Sequence, residues 1–268
     1  MRILLLIFVV NTVSTTFSQD CDPENNFFNP GEKINYEVFY HWGFVWVSAG
    51  EASFAVDTNS YKGESVYHFQ GIGKSYPKWD WVYKVNDKYE SFAQKSNLAP
   101  LFFRRRIEEG NEKMLEEYTF KTEEKRIYTY AKKENMQMQN TVPYTTCTFD
   151  PMSMVYYARC LNYSDYQKDE KIPLTMVIDG QVYETYLRYK GKEIIDVKNQ
   201  GKFKTLKFSV LLIEGTMFKG GEGMTVWVSD DKNRIPVQIE SEILVGTVNV
   251  ALTSTTGLKY PLDAKLKD

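Results

Sequence analysis

In the stretch INYEVFY, residues Ile34, Tyr36, Val38 and Tyr40 share one face, with Asn35 and Glu37 opposite. A period of two belongs to a β-strand. Runs of this kind recur to the end of the chain: SVYHFQGIG, DWVYKVNDKYESF, LFFRRRIE, MLEEYTFKT, RIYTYAKK, LTMVIDG, VYETYLRYKGKEII, FKTLKFSVLLIEG, MTVWVS, IPVQIESEIL and GTVNVALTS. Turn-rich pieces such as NSYKGE, EEGNEK and KTEEK separate them. In HWGFVWVSAGEASFAV a turn is expected near Gly43, and Ala49-Gly50 marks a kink or the close approach of another backbone. Many short strands with frequent turn signals predict an all-β chain. The expected architecture is one large curved antiparallel sheet forming a barrel or half-open barrel, a single domain over residues 19–268. The 19 Tyr, 16 Phe and 5 Trp suit this, because rings cover their neighbours on a pleated face.

One segment departs from the pattern. In FDPMSMVYYARCLNYS, Asp150 is an expected N-cap and Pro151 occupies the first helical position. Met152, Val155, Tyr156 and Cys160 follow at helical spacing, so a short helix is expected to cover or plug the sheet. The polar stretches Lys132–Thr141 and Asp165–Lys171 read as flanking loops.

The first residues, MRILLLIFVVNTVSTTFSQD, place Arg2 before an apolar run and put Thr16 and Ser18 at the −3 and −1 positions of a cut after Ser18. This reads as a secretory signal peptide over residues 1–18 and implies an exported protein, with the periplasm as the expected compartment. Ser18 and Asp20 before Cys21 do not fit a lipidation site, and no later apolar run reaches the roughly 18 residues that span a bilayer. Loss of Arg2 leaves 32 basic residues where the full chain has 33, against 35 acidic ones. That balance provides no electrostatic footprint for nucleic acid or for an anionic membrane surface. In an oxidising compartment Cys21, Cys147 and Cys160 allow one disulfide. Cys147 and Cys160 are separated by most of the helix, so Cys21–Cys147 is the expected pair and Cys160 a buried thiol. The spacings and the two histidines, His41 and His68, fit no zinc site, and no cofactor is expected.

Four constellations are candidates for function. In MTVWVSDDKNRIPVQIESEI, Asp230, Asp231 and Arg234 lie between two strands; they form either the polar tip of a hairpin or carboxylates that converge in the turn. Trp227 shares a face with Gln238 and Glu240, where it reads as a groove lining or ligand platform. Arg104 and Arg106 share a strand face opposite Arg105, either paired with Glu108, Glu109, Glu116 and Glu117 or clamping an anionic ligand. In WDWVY, read as a strand, Trp79, Trp81 and Tyr83 form an aromatic ladder that either stacks on sugar rings or fills a core. GIGKS lacks the spacing of a phosphate loop, and no serine sits in a nucleophile elbow.

The segments PGEKINYEVFYHWGFVWVSAGE, KVNDKYESF with LAPLFFRR, CTFDPMSMVYYAR and VWVSDDKNRIPVQIE, in that order, resemble the exported domain-of-unknown-function family 3108 in its Bacteroidetes form. The resemblance runs from about Gly31 to Leu252 and implies an envelope location without an established activity. The last hairpin is also similar to one in periplasmic lipoprotein carriers, which are half-open barrels with an apolar concavity covered by helices. The function expected first is a non-enzymatic envelope protein that binds or carries a lipid, lipoprotein or glycan. Its aromatic cleft would lie between Trp79, Trp81 and Tyr83 on one side and Trp227 on the other, with Asp230, Asp231 and Arg234 orienting the guest. Two alternatives are a hydrolase or lyase using Asp150, Asp230 or Asp231 with His41 or Arg104, and a scaffold subunit with an uncovered sheet edge or an apolar patch instead of a pocket.

Overall fold

The computed structural model describes residues 23–145, 147–213, 220–243 and 245–267. The expected signal peptide and Cys21, hence the expected Cys21–Cys147 bond, lie outside the described residues. Strands alternate with tight turns as the periodicity requires: β1 (Glu32–Trp42), β2 (Val45–Tyr61), β3 (Glu64–Ser75), β4 (Asn86–Gln94), β5 (Pro100–Glu109), β6 (Glu112–Lys121), β7 (Arg126–Lys133) and β8 (Met136–Pro143). The second half carries β9 (Thr148–Phe149), β10 (Lys171–Ile178), β11 (Gln181–Val197), β12 (Gly201–Leu212), β13 (Gly221–Ser229), β14 (Pro236–Glu242) and β15 (Thr247–Thr256). Two α-helical segments interrupt them, the single turn α1 (Asp80–Tyr83) and α2 (Pro151–Cys160).

Among the described residues these strands form one sheet in the order β8-β7-β6-β5-β4-β3-β2-β1-β15-β14-β13-β12-β11-β10-β9. Each half of the chain is a meander, and the antiparallel β1–β15 ladder joins the two halves. The sheet curls without closing, as expected of a half-open barrel. The β10–β11 turn crosses to the first half, where Asp179 receives a hydrogen bond from Arg105 and the Gly180 N–H donates to the Tyr118 hydroxyl at 3.1 Å. At one end of the order β8 pairs only with β7; at the other, β9 is a two-residue parallel stub on β10.

Two local departures from the sequence reading have physical causes. A β-bulge between Val38 and Phe39 resets the alternation of β1, so Phe39 is buried where Val38 was expected. The bulge lies opposite Gly50, where a Cβ would meet the Lys74 carbonyl oxygen at 2.1 Å, which accounts for glycine at the expected close approach. The stretch Lys132–Thr141, expected as a loop, instead forms the end of β7 and most of β8. Apart from half-buried Val142, the side chains of β8 are exposed on both faces, so no apolar alternation marks it as a strand.

The helix α2 lies in the concavity, capped as its sequence requires. Asp150 accepts from the backbone N–H groups of Met152 and Ser153, and its own backbone N–H donates to Ser153 Oγ at 3.1 Å, completing a capping box. Its remaining face is taken by Ser91 Oγ of β4 at 2.6 Å, so the cap also docks the helix on the sheet. The expected single stripe is too narrow: Met152, Met154, Tyr156, Tyr157 and Arg159 are all buried, because the sheet wraps around most of the helix. Tyr156 stacks on Phe69 of β3 at 4.0 Å, and Tyr157 on Phe149 at 4.3 Å. Phe28, Phe103 and Tyr118 complete a continuous core. Ring on ring, the concavity is filled.

Arg159 is a buried cation in that interior, and its guanidinium is fully matched. It forms a bidentate pair with Glu32 of β1, at 2.5 and 2.9 Å, and donates to the carbonyls of Phe27 and Asn233. Its flat faces lie 5.2 Å from the Phe28 ring centre and 5.5 Å from that of Tyr156. Removing one member strands the other charge in the core, which costs about 3–5 kcal/mol. Arg159→Met is therefore expected to lose that much stability in urea unfolding, and adding Glu32→Gln to recover part of it. A single variant as stable as the parent would show that the pair carries little weight.

Candidate functional site

The Ser229–Ile235 connection is the hairpin turn expected between β13 and β14, but Ser229 and Asn233 within it are buried and Asp231 and Arg234 partly so. Asp231 Oδ1 accepts from Ser229 Oγ and from the backbone of Asn233 and Arg234, and Asp231 Oδ2 accepts from Ala264 N at 3.1 Å. Asn233 holds the C-terminal segment by donating to the carbonyls of Tyr260 and Pro261 and accepting from Tyr260 N. Arg234 donates to the carbonyls of Arg159 and Leu161 and lies 4.1 Å over the Phe27 ring. The turn thus binds three pieces of chain together: the end of α2, the segment before β1 and the C-terminal segment. Asp230 points the other way and pairs with Lys192 at 2.8 Å on the surface.

The carboxylates of Asp150, Asp230 and Asp231 do not line a common pocket. One caps a helix, one forms a surface ion pair and one orders a turn. Arg104 and Arg106 project outward from β5 and pair with Glu117 at 2.6 Å and Glu90 at 3.5 Å. Arg105, opposite, is the buried member, held by Glu116 at 2.7 Å and by Asp179. The histidines are built into the sheet: His68 stacks on Phe92 at 4.4 Å, and His41 lies against Trp46. Cys160 is a free thiol, as expected; burial pushes its pKa up to about 12, which leaves it a poor nucleophile. Among the described residues no cluster of three or more His, Cys, Asp or Glu is arranged to hold a metal ion.

The expected aromatic cleft requires correction. WDWVY is not a strand: Pro77–Trp79 is a 3-10 turn that leads into α1, because Pro77 starts a helical turn in the connection between β3 and β4. Its rings therefore splay instead of forming a ladder. Trp79 donates its indole N–H to the Ser48 carbonyl at 2.8 Å, Trp81 is 82% exposed, and Tyr83 packs beside Gly110. Trp227 shares a face with Gln238 as expected but is buried in a separate cluster with Val237 and Ala251. The Lys207 ammonium lies 5.1 Å over its ring, and Glu193 receives its N–H at 3.3 Å, so no platform faces a guest. Two shallow depressions, of about 380 and 520 Å³, lie on the outer face and carry polar linings such as Asn35, Glu37, Glu51 and Lys74 in the first and Thr119, Gln139 and Asn140 in the second. Neither is the apolar hollow that was expected.

What α1 joins instead is a rim. Twelve large hydrophobic side chains are exposed among the described residues, and four of them lie elsewhere on the sheet: Tyr128 on β7, Met136 and Met138 on β8, and Ile194 on β11. The other eight, Trp42, Phe44, Val45, Trp46, Trp81, Val82, Tyr83 and Val245, occupy one end of the sheet. They stand on three adjacent connections, β1–β2, β3–β4 and β14–β15, which are tied to one another. The backbone of Tyr76 donates to the Ala49 carbonyl at 2.9 Å, Trp79 to Ser48, and the Tyr40 hydroxyl to the Val245 carbonyl at 3.0 Å. Of the eight, only Trp81 and Tyr83 belong to the constellations expected from the sequence. The remaining signal was in HWGFVWV, where a tight turn carries apolar rings in place of the polar residues that turns favour.

Beneath α1 lies a pair of carboxyl groups. Asp87, buried at the start of β4, neighbours Glu109 and accepts from Glu108 N at 3.0 Å, while the Tyr83 hydroxyl donates to Glu109 at 3.3 Å. Burial first, and the neighbouring Glu109 second, raise the pKa of Asp87 to about 7, against the lowering effects of the Glu108 N–H and Arg105. A carboxyl raised in the fold stabilises it below its unfolded pKa, and that contribution fades as pH climbs through the folded value. Between pH 4 and 8 the parent is expected to lose stability from this source. Asp87→Asn, which keeps an acceptor for Glu108 N, should show a flatter dependence of Tm on pH and a higher Tm than the parent at pH 8. Parallel curves would place the titration elsewhere.

The fold has a counterpart among solved structures. The crystal structure of a beta-barrel-like protein of domain of unknown function DUF1849 from Brucella abortus superposes with a TM-score of 0.55 and 8% identity, over 86% of this chain and 98% of that one. At that identity the likeness concerns the fold alone. No curated protein matches the sequence. The family described as "Protein of unknown function (DUF3108)" matches residues 35–253, which takes in the sheet from β1 to β15 with α2 inside it. By that match the chain belongs to the DUF3108 family.

Proposed function

We propose that this protein is an exported, non-enzymatic component of the cell envelope that binds a lipid, lipoprotein or glycan at the rim of its half-open barrel. The observation that carries the reading is the gathering of eight exposed apolar side chains on one end, while the concavity is packed with α2 and its rings. Scattered exposed hydrophobics are ordinary, but a contiguous set marks a contact surface. Export rests on residues 1–18, with the periplasm as destination, no lipid anchor at Cys21, and Cys21–Cys147 as the disulfide formed there. None of the described helices is long and apolar enough to cross a membrane. In this reading the helix keeps the barrel rigid and the rim makes the contact.

A second reading, a scaffold in an envelope assembly, draws support from β8, whose outer edge carries no ladder among the described residues and whose segment MQMQNTVP lacks charge. An uncharged, unpaired edge invites strand addition. The two readings differ in what the isolated protein carries. Purified from a native envelope extract and analysed by mass spectrometry, it is expected to bring down a lipid-bearing or glycan molecule in proportion to protein. A clean extract, together with no binding on lipid and glycan arrays, would remove the first reading in favour of the second.

A further inference from the structure

We infer that the rim docks flat on a lipid bilayer, with Phe44 and Trp81 entering the acyl–headgroup boundary. The inference deepens the rim-binding reading and rests on it. Three observations favour a bilayer over a protein groove.

The first is chemistry. Tryptophan, phenylalanine and valine stand together at the tips, a mixture suited to the boundary between hydrocarbon and water. Phe44 is fully exposed, and Val45 and Val82 beside the rings bring no polar side-chain atom. The indole N–H of Trp81 is already spent on the Lys78 carbonyl at 3.0 Å. Its ring can therefore leave water without stranding a donor, which is the main cost of burying a polar group.

The second is shape. The side chains project from separate connections at one end of the sheet, and neither outer depression lies among them. A set of tips suits a plane, whereas a partner helix or strand asks for a groove or an open edge. The third is rigidity. The bonds from Trp79 to Ser48, from Tyr76 to Ala49 and from Gly110 N to the Lys84 carbonyl fix the connections to the sheet. Little ordering is left to be paid at contact.

Charge plays a small part. Lys78 and Lys84 on the β3–β4 connection stand with Asp80 on the same connection and with Glu109 and Glu112 on the next, and the whole chain is close to neutral. The docking is therefore apolar in origin, and it should depend weakly on salt and on anionic lipid.

The test is co-sedimentation of the purified protein with phosphatidylcholine vesicles, and with vesicles that also contain phosphatidylglycerol, at low and high salt. The parent is expected to bind both, with a blue shift of tryptophan emission and little loss at high salt. Phe44→Ser combined with Trp81→Ser removes two inserted rings and should lower the partition coefficient about a hundredfold. Its Tm should match that of the parent, because both rings are exposed. As a second variant, Met136→Ser on β8, away from the rim, should bind as the parent does. Three outcomes would overturn the inference: no binding by the parent, equal binding by the double variant, or binding only to vesicles that carry membrane protein, which would assign the rim to a protein partner. Should the parent ignore vesicles yet still bring down a single lipid or glycan from the native extract, the bilayer inference falls while the rim-binding reading stands. An empty extract and no vesicle binding would end both.

Discussion

The contact on which the rest of the structure depends is the buried pair between Arg159 and Glu32. A fifteen-stranded sheet that does not close has no ring of hydrogen bonds to hold its curvature, so something inside must. Arg159 reaches from α2 to β1 through Glu32, to the turn before β14 through the Asn233 carbonyl, and to the segment before β1 through Phe27. These points lie in both halves of the meander, on either side of the β1–β15 seam. The pair is costly to desolvate, and such pairs are best understood as fixing one arrangement among several of similar hydrophobic content. Here it fixes where the helix sits, and through the helix how far the sheet curls.

Much of this architecture was legible in the sequence because period-two alternation survives wherever one face meets the core. The short helix was legible for a local reason: Asp150 and Pro151 announce its start whatever surrounds it. The exceptions share a cause. The edge strand β8 has two solvated faces and hence no alternation. The bulge at Val38 is invisible until β2 supplies the unequal register. WDWVY alternates like a strand only because aromatic residues happen to fall at alternate positions; Pro77 and the distance to be spanned between β3 and β4 decide otherwise.

The candidate site was legible in parts and misassembled. Trp81 and Tyr83 were singled out and do stand at the rim, but their expected partner Trp227 is buried in a separate cluster. Pairing alone places Trp227 beside Gln238; what it does not reveal is that Lys207 and Glu193 from the neighbouring strands close over the ring. Asp230 and Asp231 were noticed for their adjacency, yet the residue that organises the turn is Asn233, whose amide joins pieces of chain far apart in sequence. Long-range polar contacts of this kind leave no periodic trace.

The two ends of the sheet are unlike, and that difference restricts how copies can associate. β8 offers an open edge eight residues long, while β9 is two buried residues that run parallel to their neighbour. Head-to-tail stacking needs two competent ends, and this molecule has one. Copies meeting through β8 would be related by a two-fold axis and would use up the sticky edge in a single event. A long open sheet can thus remain free of filaments without any charged guard along its border, because its chemistry permits pairs and stops there.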